Sequence, residues 1–214
     1  MISIDLSADE SVVAVGAHPD DIEIAAGGTL LHLADHYPRV KFHLIVLTSN
    51  PQRAEEAKKS ALALLGDRTL ITVGEFRDAH LPYDDPAGVK DWLSEAAAET
   101  NPGLVLAPWT RDEHQDHRFA GALAWQVFRK TPILEYEVPK WESERFQPNV
   151  LVPLTDAQMA RKLDHLELHF SSQHKKPWYD RELFAGMLRV RGIEHGNSRY
   201  AEGFAARKVA ISIP

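Results

Sequence analysis

Seven short apolar stretches, rich in Val, Ile and Leu, recur along the chain and predict seven β-strands. Their hydrophobicity is nearly continuous rather than alternating, which is typical of strands that are covered on both faces of a parallel sheet. The stretches therefore predict a sheet buried between two layers of helices. The predicted strands cover residues 12–17, 42–48, 70–73, 104–107, 133–138, 150–154 and 208–213.

Amphipathic stretches between these strands predict helices. An Asn-Pro pair supplies an N-cap and a first-turn proline for a helix over residues 50–65, and Gly66 ends it. A second helix begins at Thr155, which can form a capping box with Gln158, and its apolar positions recur every three to four residues. The alternation of strands and helices predicts a doubly wound α/β fold. Two polar segments, 140–148 and 171–200, are predicted to be partly loops.

Composition limits the classes of protein to consider. The chain has 214 residues, enough for one large domain, and a formal charge of −7 without a basic stripe, which argues against nucleic acid as a main partner. There are no cysteines, so disulfides and thiolate metal sites are excluded. Residues 1–6 contain no basic region, and no apolar stretch approaches the length of a membrane span. We therefore expect a cytoplasmic protein without a signal peptide.

Polar residues that can carry chemistry follow each of the first four predicted strands. They occupy residues 18–21, 50–53, 77–78 and 112–117. Open α/β sheets bind ligands beyond the carboxyl ends of their parallel strands, and these four segments would meet there. The pattern predicts a functional site at that edge of the sheet.

The first of these segments reads His18-Pro19-Asp20-Asp21. Proline favours an extended conformation for the preceding histidine, and a turn at the two aspartates lets His18 and Asp21 face one point. An imidazole beside a carboxylate suits zinc, and the second carboxylate is then left for proton transfer. The alternative is an Asp-Asp helix N-cap beside a surface histidine. The glycine fingerprint of dinucleotide-binding folds is absent after this strand.

A second cluster, residues 112–117, contains two histidines three positions apart. His114 and His117 share a face if a helix begins here, so that one can bind a metal while the other lies free beside it. Asp116 can hold one imidazole through its second nitrogen. The alternative is a solvated, charged helix start.

These motifs resemble those of the LmbE-like, or PIG-L, family of zinc-dependent N-deacetylases. The resemblance rests on the sequences at 17–23, 27–30 and 112–117, and weaker matches extend it over residues 11–210. It implies a single domain over residues 1–214 with a Rossmann-like, mostly parallel sheet and helices on both faces. It also implies assembly into a symmetric trimer or hexamer.

The resemblance further assigns roles to individual residues. The zinc ligands would be His18, Asp21 and His117, although two histidines and a carboxylate also suit ferrous iron. Asp20 would be the general base. His114 would stabilise or protonate the tetrahedral intermediate.

Three supporting residues follow from the same resemblance. Asp116 would be the partner of His114, and Arg53 and Asp78 would contact sugar hydroxyls. Loops at 76–86, 140–148 and 171–200 are expected to select the substrate.

The activity implied is removal of an acetyl group from an N-acetylated sugar or amino-sugar conjugate by attack of zinc-bound water. The metal would lower the pKa of that water toward about 7 and polarise the acetyl carbonyl. One alternative is an amidase of the same family that cleaves a larger amide. A less favoured one is a non-catalytic module that binds sugars or nucleotides, for which Asp20 would have no use.

Overall fold

A mixed seven-stranded sheet forms the centre of the protein, and the computed structural model describes residues 4–139, 141 and 146–209. The strands in chain order are β1 (Ser11–Gly16), β2 (Lys41–Thr48), β3 (Thr69–Phe76), β4 (Pro102–Pro108), β5 (Ile133–Tyr136), β6 (Val150–Leu154) and β7 (Tyr200–Ala206). Their order across the sheet is β3-β2-β1-β4-β5-β7-β6. The first five pair in parallel, and β7 pairs antiparallel to both β5 and β6.

Helices cover both faces of the sheet, as the apolar pattern predicted. They are α1 (Asp21–His36), α2 (Pro51–Leu65), α3 (Pro86–Ala98), α4 (Gln115–Val127), α5 (Asp156–His169) and α6 (Arg181–His195). One face packs against α1, α2, α5 and α6, and the other packs against α3 and α4. Among the described residues, none of these helices has both the length and the apolar character needed to cross a membrane.

Strand β1 shows why the central strands are apolar throughout. Val12 and Ala14 belong to the core on one face, whereas Val13 and Val15 belong to the core on the other. All four side chains are fully buried. A strand buried on both faces has no position that favours a polar residue, so its sequence is a continuous apolar run.

The predicted helix ends are confirmed. The Asn50 side chain accepts a hydrogen bond from the backbone N–H of Arg53 and caps α2, which ends at Gly66 with a φ of 68°. Thr155 and Gln158 form the predicted capping box at the start of α5.

The strand predicted over residues 208–213 does not begin where it was expected. Residues 208 and 209 are not in a strand, and the rest of the predicted strand, 210–213, lies outside the described residues. The last strand among the described residues is β7, where Glu202 is buried and bound by the Lys162 ammonium at 2.6 Å. A charged residue in a buried strand interrupts the apolar signal, so the pattern did not reveal β7.

Helix α6 also occupies half of the 171–200 segment, which was predicted to be partly loop. In the other predicted loop, 140–148, residues 140 and 142–145 lie outside the described residues, as do residues 1–3 of the expected domain.

Candidate metal centre and adjoining cavity

The loop after β1 turns sharply at its two aspartates. Asp20 has a φ of 126°, a strained conformation for a residue with a Cβ atom, and Asp21 begins α1. Arg53, in the first turn of α2, holds this turn: its Nη2 donates to the Pro19 carbonyl at 2.8 Å and to Asp20 Oδ1 at 2.9 Å. Strain of this kind costs about 1–3 kcal/mol and persists where the surroundings fix it, which is common at functional sites.

The start of α4 brings the second cluster to the same edge of the sheet. His114 is the N-cap residue, and its Nδ1 accepts the backbone N–H of Asp116 at 3.2 Å. His117 is fully buried, and its Nδ1 lies 2.8 Å from Asp112 Oδ2. The other oxygen of Asp112 accepts the backbone N–H of His114 at 2.7 Å. Asp112 therefore fixes both histidines of the cluster.

The three predicted metal ligands converge on one point. Asp21 Oδ2 lies 3.2 Å from His18 Nδ1 and 3.3 Å from His117 Nε2. One ligand atom from each residue lies within 4.8 Å of the others, and all three residues are buried. The opposite ring nitrogens face carboxylates, because His18 Nε2 lies 3.2 Å from Asp116 Oδ2 and His117 Nδ1 faces Asp112. Two imidazoles and a carboxylate, with a carboxylate behind each imidazole, form a set that can bind zinc-type metals.

A second group, His18, His114 and Asp116, also has ligand atoms within 4.8 Å of one another. In this group His114 Nδ1 already accepts a backbone N–H, and Asp116 Oδ2 accepts the N–H of Ala79 at 2.7 Å. The donor set of His18, Asp21 and His117 therefore fits a metal better.

The electrostatic field at the centre is strongly negative. Burial alone would lower the pKa of His18, but the carboxylates of Asp21, Asp116 and Asp78 raise it to about 10. The same field attracts a divalent cation, which competes with the proton for the imidazole nitrogen. The site thus has the charge as well as the ligand atoms for a metal.

The two residues expected to contact a sugar differ in accessibility. Asp78 has a side chain 58% exposed; its Oδ1 lies 3.0 Å from His18 Nε2, and its Oδ2 lies 3.5 Å from Arg53 Nη1. The hydrogen bond from His18, assisted by the charges of His18 and Arg53, lowers the pKa of Asp78 below its usual value. Arg53 is buried and holds Asp20. Asp78 is the better placed of the two to reach a ligand.

The Asp116 carboxylate lies behind His18. Its oxygens accept the backbone N–H groups of Ala79, at 2.7 Å, and Leu81, at 3.2 Å. Asp116 is linked to His114 through its backbone N–H. Its carboxylate therefore fastens the loop after β3 to His18.

A cavity of about 310 Å³ opens over the centre. His18, Asp20, Arg53, Asp78 and His114 line it, so five of the predicted residues face one space. Its volume is at the lower end of the range for small-molecule sites, about 300–1,000 Å³. Four further residues complete the lining, and all of them lie in the segments 140–148 and 171–200, which were expected to select the substrate. These four are Trp141, Gln173, Lys176 and Trp178.

Known proteins similar to this chain include a deacetylase family and a deacetylase of that kind. The family model described as "PIG-L: GlcNAc-PI de-N-acetylase" matches residues 13–128, more than half of the chain. The chain is 29% identical to a diacetylchitobiose deacetylase of Thermococcus kodakarensis over 226 residues, which cover 91% of this chain and 82% of the relative.

Solved structures share the fold. An N,N'-diacetylchitobiose deacetylase from Pyrococcus horikoshii, complexed with an inhibitor, matches with a TM-score of 0.74 and 25% identity over 94% of this chain and 86% of that one. The 4-carboxy-2-hydroxymuconate hydratase from Pseudomonas putida matches with a TM-score of 0.78 and 18% identity over 96% and 99%. At this identity the similarity to the hydratase shows the fold alone. Because a hydratase shares this fold, the activity of the chain has to be argued from its site.

Proposed function

Because the chain belongs to the PIG-L family, we propose that it is a metal-dependent hydrolase that removes an acetyl group from an N-acetylated sugar or amino-sugar conjugate. The observation that carries this proposal is the convergence of His18, Asp21 and His117 beneath a cavity that Asp20 also lines. The diacetylchitobiose deacetylases to which the chain is similar support the choice of an N-acetylated sugar.

The proposed metal ligands are His18, Asp21 and His117, and zinc is the proposed ion. A divalent metal bound there supplies Lewis acidity toward the acetyl carbonyl and makes water a stronger nucleophile at neutral pH. The buried carboxylates of Asp112 and Asp116 would hold the two imidazoles in the orientation for ligation.

Asp20 is the proposed general base. Its carboxylate lines the cavity next to the ligand Asp21, and the Arg53 guanidinium at 2.9 Å stabilises its negative form. An ionised carboxylate held in one orientation can take the proton of the attacking water and later deliver it to the leaving amine. In this proposal Arg53 positions Asp20, and Asp78 is the residue that contacts the sugar.

His114 is the proposed stabiliser of the tetrahedral oxyanion. Because its Nδ1 accepts the Asp116 backbone N–H, a neutral ring carries its hydrogen on Nε2. His114 then presents a hydrogen-bond donor to the cavity without needing a positive charge, and a donor preorganised in this way stabilises developing negative charge.

The Asp20→Asn variant tests this division of roles. The metal ligands are unchanged and Asn retains the oxygen that accepts from Arg53, so metal content should match the wild type. Loss of the base should lower kcat about 10²- to 10⁴-fold. Metal content is measured by mass spectrometry, and amine release is measured from N-acetylglucosamine and N,N'-diacetylchitobiose.

Asp91→Asn, on the exposed side of α3, is the matched control and should behave as the wild type. Undiminished turnover in Asp20→Asn would rule out Asp20 as the base. No amine release from either substrate by the metal-loaded wild type would contradict the proposed deacetylase activity.

A further inference from the structure

The Glu56 carboxylate ties the segment that joins α5 to α6 to helix α2. Its Oε1 accepts the Ser171 hydroxyl at 3.0 Å and the Ser172 backbone N–H at 2.9 Å. Its Oε2 accepts the Ser172 hydroxyl at 2.5 Å. Three donors from two adjacent residues converge on this carboxylate, so Glu56 fixes the beginning of the segment.

Hydrogen bonds extend from Glu56 to the cavity. The Ser172 hydroxyl gives its hydrogen to Glu56, so its oxygen must accept from the next group, which is Gln173 Nε2 at 2.8 Å. These hydrogen bonds fix the orientation of the Gln173 amide, with its nitrogen toward Ser172. Gln173 is 2% exposed and lines the cavity, and its Oε1 accepts no hydrogen bond from any group that the structure describes.

The same segment continues along the cavity. Lys176 and Trp178 line it, with the Lys176 ammonium 5.4 Å from the centre of the Trp178 ring. Arg53 and Glu56 are one turn apart on α2, and Arg53 holds Asp20. Helix α2 therefore fixes the proposed base through Arg53 and the beginning of another lining segment through Glu56.

A buried amide oxygen without a donor is unfavourable and calls for an explanation. A substrate hydroxyl can supply the missing donor, because sugar hydroxyls both donate and accept. Oε1 is buried, so this hydrogen bond requires a small shift of the Gln173 amide in which Nε2 keeps its bond to the Ser172 hydroxyl.

We propose that Glu56 is a specificity-determining positioning residue. It fixes the segment 171–178 as the wall that receives the hydroxyl-bearing part of the substrate beyond the reacting acetamide, such as a second sugar ring. Through Ser172 it sets the Gln173 amide oxygen as the acceptor for one of those hydroxyls. This inference rests on the proposed deacetylase function.

The test compares Glu56→Ala and Glu56→Gln with Glu55→Ala, a matched control at the adjacent exposed position, where Glu55 approaches Lys58 at 3.4 Å on the surface. All are assayed with metal on N-acetylglucosamine and N,N'-diacetylchitobiose. Glu56→Ala should raise KM for the disaccharide about tenfold, the effect of losing a hydrogen bond or two. Its kcat, and KM for the monosaccharide, should change by less than about twofold. Glu56→Gln retains an acceptor oxygen and should lie between Glu56→Ala and wild type.

Equal losses on both substrates, or a fall in kcat alone, would overturn the proposal, because a merely structural residue affects both substrates alike. Hydrogen–deuterium exchange over residues 171–178 measures the anchoring without substrate. Exchange should rise in Glu56→Ala and not in Glu55→Ala, and unchanged exchange would also overturn the proposal. If the metal-loaded wild type hydrolyses neither sugar, the proposed function fails, and the exchange result alone decides whether Glu56 positions this segment.

Discussion

Replacing Asp112 with Asn should weaken metal binding although Asp112 is not a proposed ligand. Its Oδ1 accepts the backbone N–H of His114 at 2.7 Å, and its Oδ2 lies 2.8 Å from His117 Nδ1. An asparagine that keeps the first bond turns its NH₂ group toward His117. Two donors would then face each other, and His117 would have to move its hydrogen from Nδ1 to Nε2. Nε2 is the nitrogen that faces Asp21 and the proposed metal.

The size of the effect follows from this change of tautomer. A metal can bind Nε2 only when that nitrogen is free of hydrogen, so metal binding must restore the unfavourable contact between the two donors. Loss of a carboxylate behind a metal-binding histidine typically weakens metal affinity about 10- to 100-fold. Each factor of ten is about 1.4 kcal/mol, so the cost is about 1.4–2.8 kcal/mol of metal-binding free energy.

Competition with a chelating indicator of known affinity measures this directly for Asp112→Asn. Glu113→Gln removes the adjacent charge at an exposed position and serves as the control. Zinc affinity should fall in Asp112→Asn only, and excess zinc should restore much of the activity. Unchanged affinity in Asp112→Asn would refute the inference that this carboxylate orients His117.

Further predictions concern stability. Gly192→Ala should lower the free energy of unfolding by about 1–3 kcal/mol, because its Cβ would lie 2.2 Å from the Arg199 backbone oxygen. In the same helix, a Cβ added at Gly186 would meet no heavy atom within 4 Å, so Gly186→Ala should raise the free energy of unfolding by about 0.5–1 kcal/mol. Urea unfolding measures the stability of both variants. Burial lowers the pKa of His165 from 6.5 to about 3, so acidification through this range favours protonation of the unfolded chain and destabilises the protein. This loss of stability on acidification should be smaller in His165→Gln than in the wild type and unchanged in the exposed control His36→Gln. An equal loss in His165→Gln and the wild type would show that His165 is not its source.

Much of the fold was predictable because the central strands are buried on both faces. Burial of this kind demands an apolar side chain at nearly every position, as in β1 and β2, and that demand is visible in the sequence. Strand β7 escaped detection because tertiary contacts allow a charge in it. Glu202 accepts the backbone N–H groups of Gly28 and Thr29 in addition to binding Lys162. These partners come from distant parts of the chain, so local patterns cannot reveal them.

The candidate site was predictable to the extent that its residues follow strands. The carboxyl ends of parallel strands meet, so the segments at 18–21 and 112–117 had to be neighbours. Which carboxylate lies behind which imidazole could not be predicted, because it depends on the angle between the turn and α4. Asp116 was expected to hold the His114 ring, but its carboxylate contacts the His18 ring instead. The carboxylate that contacts the His117 ring is that of Asp112.

The central claim is that His18, Asp21 and His117 hold a divalent metal on which deacetylation depends. The most direct measurement is metal content by mass spectrometry, determined in parallel with acetate release, for wild type and His117→Ala. We predict a single metal ion per wild-type chain, activity that a chelator removes and zinc restores, and neither tight metal binding nor acetate release in His117→Ala. Full activity in the chelated wild type, or metal and activity retained by His117→Ala, would contradict the claim.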